Sequence, residues 1–274
     1  MPRPLCIFCE RAATTGEHFW PKWMRPLLRG HSFTHSIESS LDASQKGSPF
    51  AENTRRTRQG SPEHTKFKVV CSTCNNGWMN AVEKANRHYL TPLVKGERAT
   101  LTAITRRSIA EWIYLKTLVL SHAPTPASNP TPHVIYARRE AFAFKVWRRI
   151  PIDFRVWLAH GDLDQWRVGV RLNSGRLHSA LLSPDQDFMA RLQRNIQMVI
   201  WGAGHLVIQT FGKTNPDINF APTPLFGGIL LWPIESQDTV DIAWPPAHAL
   251  HDQDLWDIAQ LSSEQLRRIH QHSR

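Results

Sequence analysis

The cysteines of the chain form two pairs, each with two residues between its members. The pairs are Cys6/Cys9 and Cys71/Cys74, so all four cysteines belong to a Cys-x-x-Cys knuckle. Such a knuckle lets both of its thiolates reach one metal ion at about 2.3 Å, and two knuckles complete the tetrahedral sulfur set of a structural Zn²⁺ site. We therefore predict Zn²⁺ bound by all four cysteines.

Two other uses of paired cysteines compete with zinc. Disulfides are rare in cytosolic proteins, and redox chemistry at a Cys-x-x-Cys pair is typical of a thioredoxin-like βαβ context that the sequence lacks. Cys9 and Cys71 are separated by 61 residues, far more than the roughly 15–20 of a simple zinc ribbon. A sizeable segment must therefore loop out between the knuckles. The first hundred residues are polar and loop-rich, and a small core of that kind usually needs a metal or a disulfide to hold it together.

The order of the motifs resembles that of the HNH nucleases, also called ββα-metal or His-Me finger nucleases. Many members of that family carry a Cys-x-x-Cys knuckle, then an acidic residue and His followed by two residues and Pro. A second knuckle follows, with Asn or His immediately after it. Here these elements are Cys6/Cys9, residues 17–21 (EHFWP), and Cys71/Cys74 with Asn75-Asn76-Gly77. The resemblance covers about residues 5–90, a third of the chain.

The resemblance implies a role for the polar residues of these motifs. His18 is the general base that takes a proton from the attacking water, because the pKa of histidine lies near working pH. Glu17 and Asn75 are the ligands of a catalytic Mg²⁺ or Mn²⁺, since carboxylate and amide oxygens are the hard ligands that such an ion prefers. Neighbours in a strand point to opposite faces, so Glu17 and His18 share a site only if the chain turns there or one of them acts across the metal.

The chain departs from the family pattern at three positions. Glu17 stands where the family usually has Asp, and Trp78 stands where a cationic residue often follows the Asn-x-Gly segment. Asn75 takes the place of the final His of the motif, with Asn76 as the fallback, and Asn75 is also a favoured residue for capping the next helix. These departures support a second hypothesis, a non-catalytic zinc module that binds nucleic acid or protein.

Positive charge is concentrated in the part of the chain that holds the cysteines. The formal net charge is +10; residues 1–100 carry 15 Lys and Arg against 8 Asp and Glu, whereas residues 101–274 carry 18 against 15. Residues 36–66 are rich in Ser, Gly, Pro and Arg, which predicts a long basic loop between the knuckles. Its densest positive run supplies the candidate contacts to a phosphate backbone: Arg55, Arg56 and Arg58. Two interpretations explain this excess of positive charge. The first part of the chain binds a polyanion, or it has a solvated basic surface with no partner.

The apolar pattern of the first part of the chain predicts a strand and two helices. Residues 66–70 are expected to form a strand that leads into Cys71. The residues after Cys74 turn into a helix. Glu83 and His88 lie on this helix, where they could approach the site, but a solvated face is the expectation for both. A 3.6-residue period over 99–120 predicts a long, largely buried helix.

The remainder of the chain predicts a mainly antiparallel β domain. A shorter helix is expected over 138–146, and from residue 153 the period changes to two, which predicts short strands in series. One helix near 187–196 interrupts them, and helical pieces end the chain. The fold class is therefore α+β: a zinc-stapled ββα-metal module over residues 1–95, as the resemblance implies, and a helical connector with an antiparallel β-rich domain over 96–274.

These patterns together predict a metal-dependent HNH-type endonuclease that hydrolyses phosphodiester bonds in DNA. The expected partner is nucleic acid, double-stranded DNA in the first instance. No stretch of the sequence is apolar over the roughly 20 residues of a membrane span, and the first ten residues lack the apolar run of a signal peptide. A cytoplasmic location is therefore expected. No nucleotide-binding glycine loop, kinase motif set or nucleophile elbow occurs in the sequence.

Overall fold

The computed structural model describes residues 4–28, 34–37, 56–59, 65–122, 133–164, 168–175, 194–216, 218, 222–234 and 240–258. The strands in these ranges are β1 (Thr15–His18), β2 (Thr34–Ile37), β3 (Arg56–Gln59), β4 (Lys66–Val70), β5 (Ala99–Leu101), β6 (Arg155–Gly161), β7 (Val168–Gly175), β8 (Ile196–Ala203), β9 (Leu206–Lys213), β10 (Ile229–Trp232), β11 (Ile242–Trp244) and β12 (Ala249–Leu250). The helices are α1 (Arg25–Leu28), α2 (Ser72–Cys74), α3 (Asn80–Lys95), α4 (Ala103–Ser121) and α5 (Arg138–Trp147), and residues 252–258 are also helical. The α+β class predicted from the sequence is therefore confirmed.

The first part of the chain contains two antiparallel strands followed by a helical segment. β1 pairs with β4, so that Glu17 lies opposite Phe67 and His18 opposite Lys66. β4 has the bounds predicted for it, and it leads into Cys71. After it, α2, a π-helical turn (Asn75–Met79) and α3 form one helical segment that is kinked at Gly77.

The segment predicted as a long basic loop is partly strand. β2 and β3 pair antiparallel, from Thr34 opposite Gln59 to Ile37 opposite Arg56. The prediction for 36–66 was therefore too simple, because polar and charged residues can form a paired strand when their backbone finds a partner. The backbone of β2 also lies beside that of β7. Residues 38–55 lie outside the described part of the chain.

The helix that follows the second knuckle is amphipathic. α3 buries Val82, Leu90 and Leu93 on one side, which is the three- and four-residue spacing of a helix that packs against a core. It ends at Gly96, whose φ of 72° lies in the left-handed region, where a residue without Cβ is least strained. This helix agrees with the sequence prediction.

The long helix α4 forms the centre of the molecule. It begins after Thr102, whose side-chain oxygen accepts a hydrogen bond from the Thr105 backbone N–H, as an N-cap does. The sequence predicted a helical start at Ala99, but residues 99–101 form β5 and pair with β11. From Ile109 onward nearly every residue of α4 is buried, and such a helix is surrounded by other elements on all sides.

Most of the remaining strands form one large sheet. Its order is β10-β6-β9-β8-β7, with every neighbouring pair antiparallel, and β12 joins β6 in parallel. The mainly antiparallel sheet predicted from the two-residue period is therefore confirmed. The helix predicted near 187–196 is wrong at its end, because Ile196 is the first residue of β8; residues 187–193 lie outside the described ranges.

The cysteine-containing part of the chain packs directly on this sheet. The Trp20 indole Nε1 donates a hydrogen bond of 3.1 Å to the carbonyl oxygen of Gly202 in β8. The ring of Phe19 lies 4.5 Å from that of Trp201 in an edge-to-face arrangement, a favoured geometry for aromatic pairs. Side chains on both sides of residue 95 therefore contribute to one hydrophobic core. Of the helices in the described ranges, none combines the length and apolarity that a bilayer crossing requires.

Candidate functional site

The four cysteine thiols converge at one point. All four Sγ atoms lie within 4.8 Å of one another, and the Sγ of Cys9 is 3.5 Å from that of Cys71 and 3.6 Å from that of Cys74. A zinc ion with four sulfurs at about 2.3 Å has tetrahedral edges of about 3.8 Å, whereas a disulfide bond is about 2.05 Å long. The donor set therefore fits a structural Zn²⁺, and the predicted convergence of the four cysteines is confirmed.

Backbone hydrogen bonds fix the first knuckle against the second. The Cys6 N–H donates to the carbonyl oxygen of Arg11 at 2.8 Å, which closes the knuckle turn, and the Ile7 N–H donates to the carbonyl oxygen of Val69 at 3.0 Å. The Arg11 guanidinium also donates to the Thr73 hydroxyl at 3.0 Å. β4 and the start of the helical segment therefore hold the first knuckle in place.

The second knuckle lies at the start of the helical segment. Cys71 is the N-cap of α2, and its Sγ accepts the Cys74 N–H at 3.4 Å. Burial raises the pKa of the Cys74 thiol to about 12 and also raises the pKa of Cys6. Burial acts in the same direction on Cys71, but the Cys74 N–H and the neighbouring thiols lower the pKa of Cys71 to about 7. Four thiolates this close together, three of them buried, need a cation to offset their mutual repulsion, and Zn²⁺ would supply it.

His18, at the end of β1, is an uncharged imidazole among cations. Its Nε2 accepts a hydrogen bond of 3.0 Å from the Arg25 guanidinium, and because arginine cannot accept, the neutral ring carries its proton on Nδ1. Burial, together with the positive charges of Lys66, Arg25, Lys22 and Lys116, lowers the pKa of His18 to about 4. The site therefore combines a neutral base with surplus positive charge at neutral pH.

Glu17 is engaged by a buried lysine of α4. The Lys116 ammonium donates to the Glu17 carboxylate, to a Glu83 carboxylate oxygen at 3.2 Å and to the His18 carbonyl oxygen at 2.9 Å. The Lys116 side chain is fully buried, and Glu17 has only 8% of its side chain exposed. The neighbouring carboxylates raise the pKa of Lys116 against the opposing effect of burial, so the ammonium stays charged with all three donors used. The solvated face predicted for Glu83 is wrong, because this residue belongs to the buried charge cluster.

We expect Lys116→Met to lower the free energy of unfolding by about 3–5 kcal/mol, because the substitution leaves the Glu17 and Glu83 carboxylates without their cation. Urea denaturation of the variant and the wild type measures the difference. Arg107→Met is the matched control on the same helix. Its partner is Glu111 in an ion pair of 3.4 Å with the arginine 62% exposed, and exposed pairs contribute less than about 1 kcal/mol. Equal stability of Lys116→Met and wild type would show that the buried cluster does not stabilise the fold.

Asn75 contacts β1 and is not the N-cap of the helix that follows it. Its side-chain amide donates a hydrogen bond of 3.2 Å to the Thr15 hydroxyl, which in turn donates to the Val70 carbonyl oxygen at 3.1 Å. The capping role considered for Asn75 falls to Cys71, four residues earlier. Asn76 is exposed, and its carbonyl oxygen accepts from Asn80. Asn75 therefore ties the helical segment to the strand that carries Glu17 and His18.

The predicted catalytic side chains have different immediate partners. Glu17 and His18 are neighbours in β1, so their side chains leave the strand on opposite faces: Glu17 meets Lys116, and His18 meets Arg25. Among the described contacts, neither bonds to the other or to Asn75. Within the described ranges, the four thiols are the one cluster in which three or more ligand atoms of histidine, cysteine or carboxylate side chains lie close enough together to hold a metal ion. The predicted Mg²⁺ or Mn²⁺ ligation by Glu17 and Asn75 stays a prediction.

The candidate phosphate contacts lie at the limit of the described structure. Arg56 and Arg58 belong to β3, opposite Ile37 and His35 of β2, and Arg55 lies outside the described residues. Their role in binding nucleic acid stays a prediction.

The cation missing after the Asn-x-Gly segment comes from a distant part of the chain. The Arg148 guanidinium lies 4.3 Å from the centroid of the Trp78 ring, a cation–π contact. Trp78 also packs edge-to-face on Phe8 at 4.9 Å, so it belongs to the local core as well. The departure noted at Trp78 therefore does not remove positive charge from this region.

Sequence analysis missed the cations around His18. Lys116 stands within the apolar run IYLKTLVL, and a single lysine in a buried helix indicates a charge that must find a partner. Arg25 and Lys22 follow the EHFWP motif within two helical turns, which places them close to His18 along the chain. Both features of the sequence indicate positive charge near His18 and Glu17.

Comparison of the chain with models of known protein families, with curated proteins and with solved structures gave no match.

Proposed function

We propose that this protein is a metal-dependent HNH-type endonuclease that hydrolyses phosphodiester bonds in nucleic acid. The observation that supports the proposal most is the environment of His18, a neutral imidazole with four cationic side chains around it. The strand of His18 pairs with β4, which leads directly into the second pair of a zinc-type thiol cluster. A base beside a concentration of positive charge is what hydrolysis of an anionic ester needs.

In the proposed reaction, His18 takes a proton from a water molecule as the water oxygen bonds to phosphorus. The bond from phosphorus to the leaving sugar oxygen breaks, and that oxygen takes a proton from solvent. His18 then releases its proton to solvent, so the sum is hydrolysis of one ester bond. Lys22, Arg25 and Lys66 stabilise the negative charge that develops on the phosphate.

Arg25 has two parts in this proposal. In the free protein its guanidinium occupies the Nε2 lone pair of His18 at 3.0 Å. A phosphate is a better partner for a guanidinium than a neutral imidazole is, so we expect Arg25 to turn to the substrate and release Nε2. The negative charge of the phosphate also offsets the surrounding cations, which raises the pKa of His18 and strengthens it as a base.

Two metal ions belong to the proposal in different roles. Zn²⁺ at Cys6, Cys9, Cys71 and Cys74 is structural and holds β4 and the helical segment in register with the first knuckle. Mg²⁺ or Mn²⁺, when bound, would neutralise charge on the phosphate and the leaving oxygen. Glu17 and Asn75 are its proposed ligands, and because Lys116 engages Oε1 of Glu17, such a bond would use the other carboxylate oxygen.

A second candidate function is a zinc module that binds nucleic acid or protein without cleaving it. One observation favours it. Arg25 donates a hydrogen bond to His18, and Lys116 pairs with Glu17, so both polar residues of the EHFWP motif already have partners. This function predicts salt-sensitive binding with no cleavage.

The test is the nicking of supercoiled plasmid by the zinc-loaded protein with Mg²⁺, with Mn²⁺ and with neither ion added. The proposal predicts nicking with Mg²⁺ or Mn²⁺ and none when neither is added. Binding of the plasmid without nicking under any of these conditions would overturn the nuclease and support the binding module.

A further inference from the structure

One helix presents aromatic and basic side chains to solvent beside the segment that carries the second knuckle. Phe142, Val146 and Trp147 of α5 are 51%, 49% and 66% exposed. Single exposed apolar residues are common, but three on one short helix together are unusual. We call them, with their basic neighbours, the α5 surface: Arg139, Phe142, Lys145, Val146, Trp147 and Arg149.

The α5 surface is positively charged. Arg138, Arg139 and Arg149 are exposed, and Lys145 is half-buried. The acidic residue of the helix, Glu140, already pairs with Arg139 at 2.7 Å. Of the cations that remain, Arg138 lies four residues before Phe142 and Lys145 lies three residues after it, and residues three and four apart share a face of a helix. An occupant of this surface must therefore be anionic and must offer flat apolar groups.

The opposite side of α5 is fixed to the segment after the second knuckle. Phe144 is fully buried and packs edge-to-face on Tyr114 at 4.9 Å and on Trp78 at 6.0 Å. Arg148 ends the helix with a φ of 53° and stacks over Trp78. Trp78 lies in the same turn as Asn75, so the α5 surface is held beside the residues that follow the thiol cluster.

We propose that the α5 surface binds a single-stranded stretch of nucleic acid, with bases stacked on Phe142 and Trp147 and phosphates on Lys145 and Arg149. Phe142 and Trp147 are five residues apart, about 7.5 Å along the helix axis and about 140° around it, so a strand that stacks on both rings must cross the helix between them. Unpaired bases stack on exposed aromatic rings, whereas bases within a duplex already stack on each other. The inference rests on the proposed function, since it names the form of nucleic acid that reaches the candidate site.

The charge of the surface argues against other occupants. A second copy of this chain would bring two sets of like charges together, which is unfavourable. A lipid surface is also anionic, but a helix of ten residues with three exposed apolar side chains offers much less apolar area than the long apolar face of a membrane-bound helix. Nucleic acid offers bases that stack on the aromatic rings and phosphates that pair with the cations.

The test is the affinity of the zinc-loaded protein for a fluorescein-labelled oligo-dT strand of about 20 nucleotides, several times the smallest site of one binding module, measured by anisotropy without added Mg²⁺ or Mn²⁺. The double variant Phe142→Ala/Trp147→Ala should bind at least about 25-fold more weakly, since each stacked base contributes at least about fivefold. Ile152→Ala, which removes an aliphatic side chain that is 83% exposed, is the matched control and should change the affinity by less than about twofold. Arg149→Gln should reduce the slope of log affinity against log salt by about 0.7.

The outcomes separate this inference from the proposed function. Unchanged oligo-dT affinity in the double variant, or an equal loss in Ile152→Ala, overturns the α5 surface even if the wild type nicks plasmid. Loss of binding to vesicles of phosphatidylserine and phosphatidylcholine, without any loss for oligo-dT, overturns it in favour of a lipid surface. If the variants lose oligo-dT affinity as predicted but the wild type never nicks plasmid, the result supports the α5 surface and overturns the nuclease. Thermal melting of each variant alongside wild type verifies that these exposed substitutions leave the fold intact.

Discussion

The variant His18→Ala is expected to cleave plasmid DNA about 10²–10⁴-fold more slowly than the wild type, the range typical for removal of a general base. In the proposed mechanism His18 is the neutral base at the centre of the cationic site, and an alanine there has no lone pair to accept the proton of water. The four cations around it remain. Affinity for DNA should therefore stay close to that of the wild type, so the loss should lie in the rate of cleavage and not in binding.

The matched control for this prediction is His88→Ala. His88 is an exposed histidine on α3, and its described ring contact is with the neighbouring Tyr89 at 3.7 Å. The control makes the same chemical change on the same part of the chain, and we expect its cleavage rate to match the wild type. If His18→Ala and His88→Ala cleave equally well, His18 has no part in the chemistry.

Loss of one zinc ligand is expected to have the largest effect on stability. In Cys71→Ser the sulfur set is incomplete, and elemental analysis of the purified variant should find far less zinc than in the wild type. Structural zinc sites contribute apparent binding free energies of about 10–16 kcal/mol in zinc-finger peptides, where binding and folding are coupled. We therefore expect the part of the chain built on β1, β4 and the first knuckle to lose its folded structure, visible as a lower melting temperature and faster proteolysis.

Thr73→Ala is the control for the zinc prediction. Thr73 lies between the two cysteines of the second knuckle, is exposed, and accepts one hydrogen bond from Arg11. Its loss should leave zinc bound and lower the free energy of unfolding by no more than about 1–1.5 kcal/mol. If Cys71→Ser and Thr73→Ala melt at the same temperature with the same zinc content, the four thiols do not hold a structural ion.

The local elements of the fold could be predicted because their signals are local. The bounds of β4 and α5 and the two-residue period of the sheet all depend on residues close in sequence. Knuckle spacing is equally local, and the expectation that all four thiols bind one Zn²⁺ predicts that the two knuckles meet across the 61 residues between them. The convergence of the four thiols was therefore predictable, even though the intervening segment was not.

The contacts around Glu17 and His18 could not be predicted in the same way. Lys116 reaches Glu17 across 99 positions of sequence, and Arg148 reaches Trp78 across 70. The periodicity of a sequence does not predict such a pairing, because the pairing depends on which face of a helix covers which strand after the core has formed. The late start of α4, at Ala103 and not at Ala99, has the same cause: β11, far along the chain, takes residues 99–101 as a strand partner.

Zinc K-edge X-ray absorption of the purified wild-type protein tests the central claim most directly. The four-thiol centre predicts one zinc per chain with four sulfur neighbours at about 2.3 Å. A sample free of transition metal, or zinc surrounded by nitrogen and oxygen at about 2.0–2.1 Å, would contradict it.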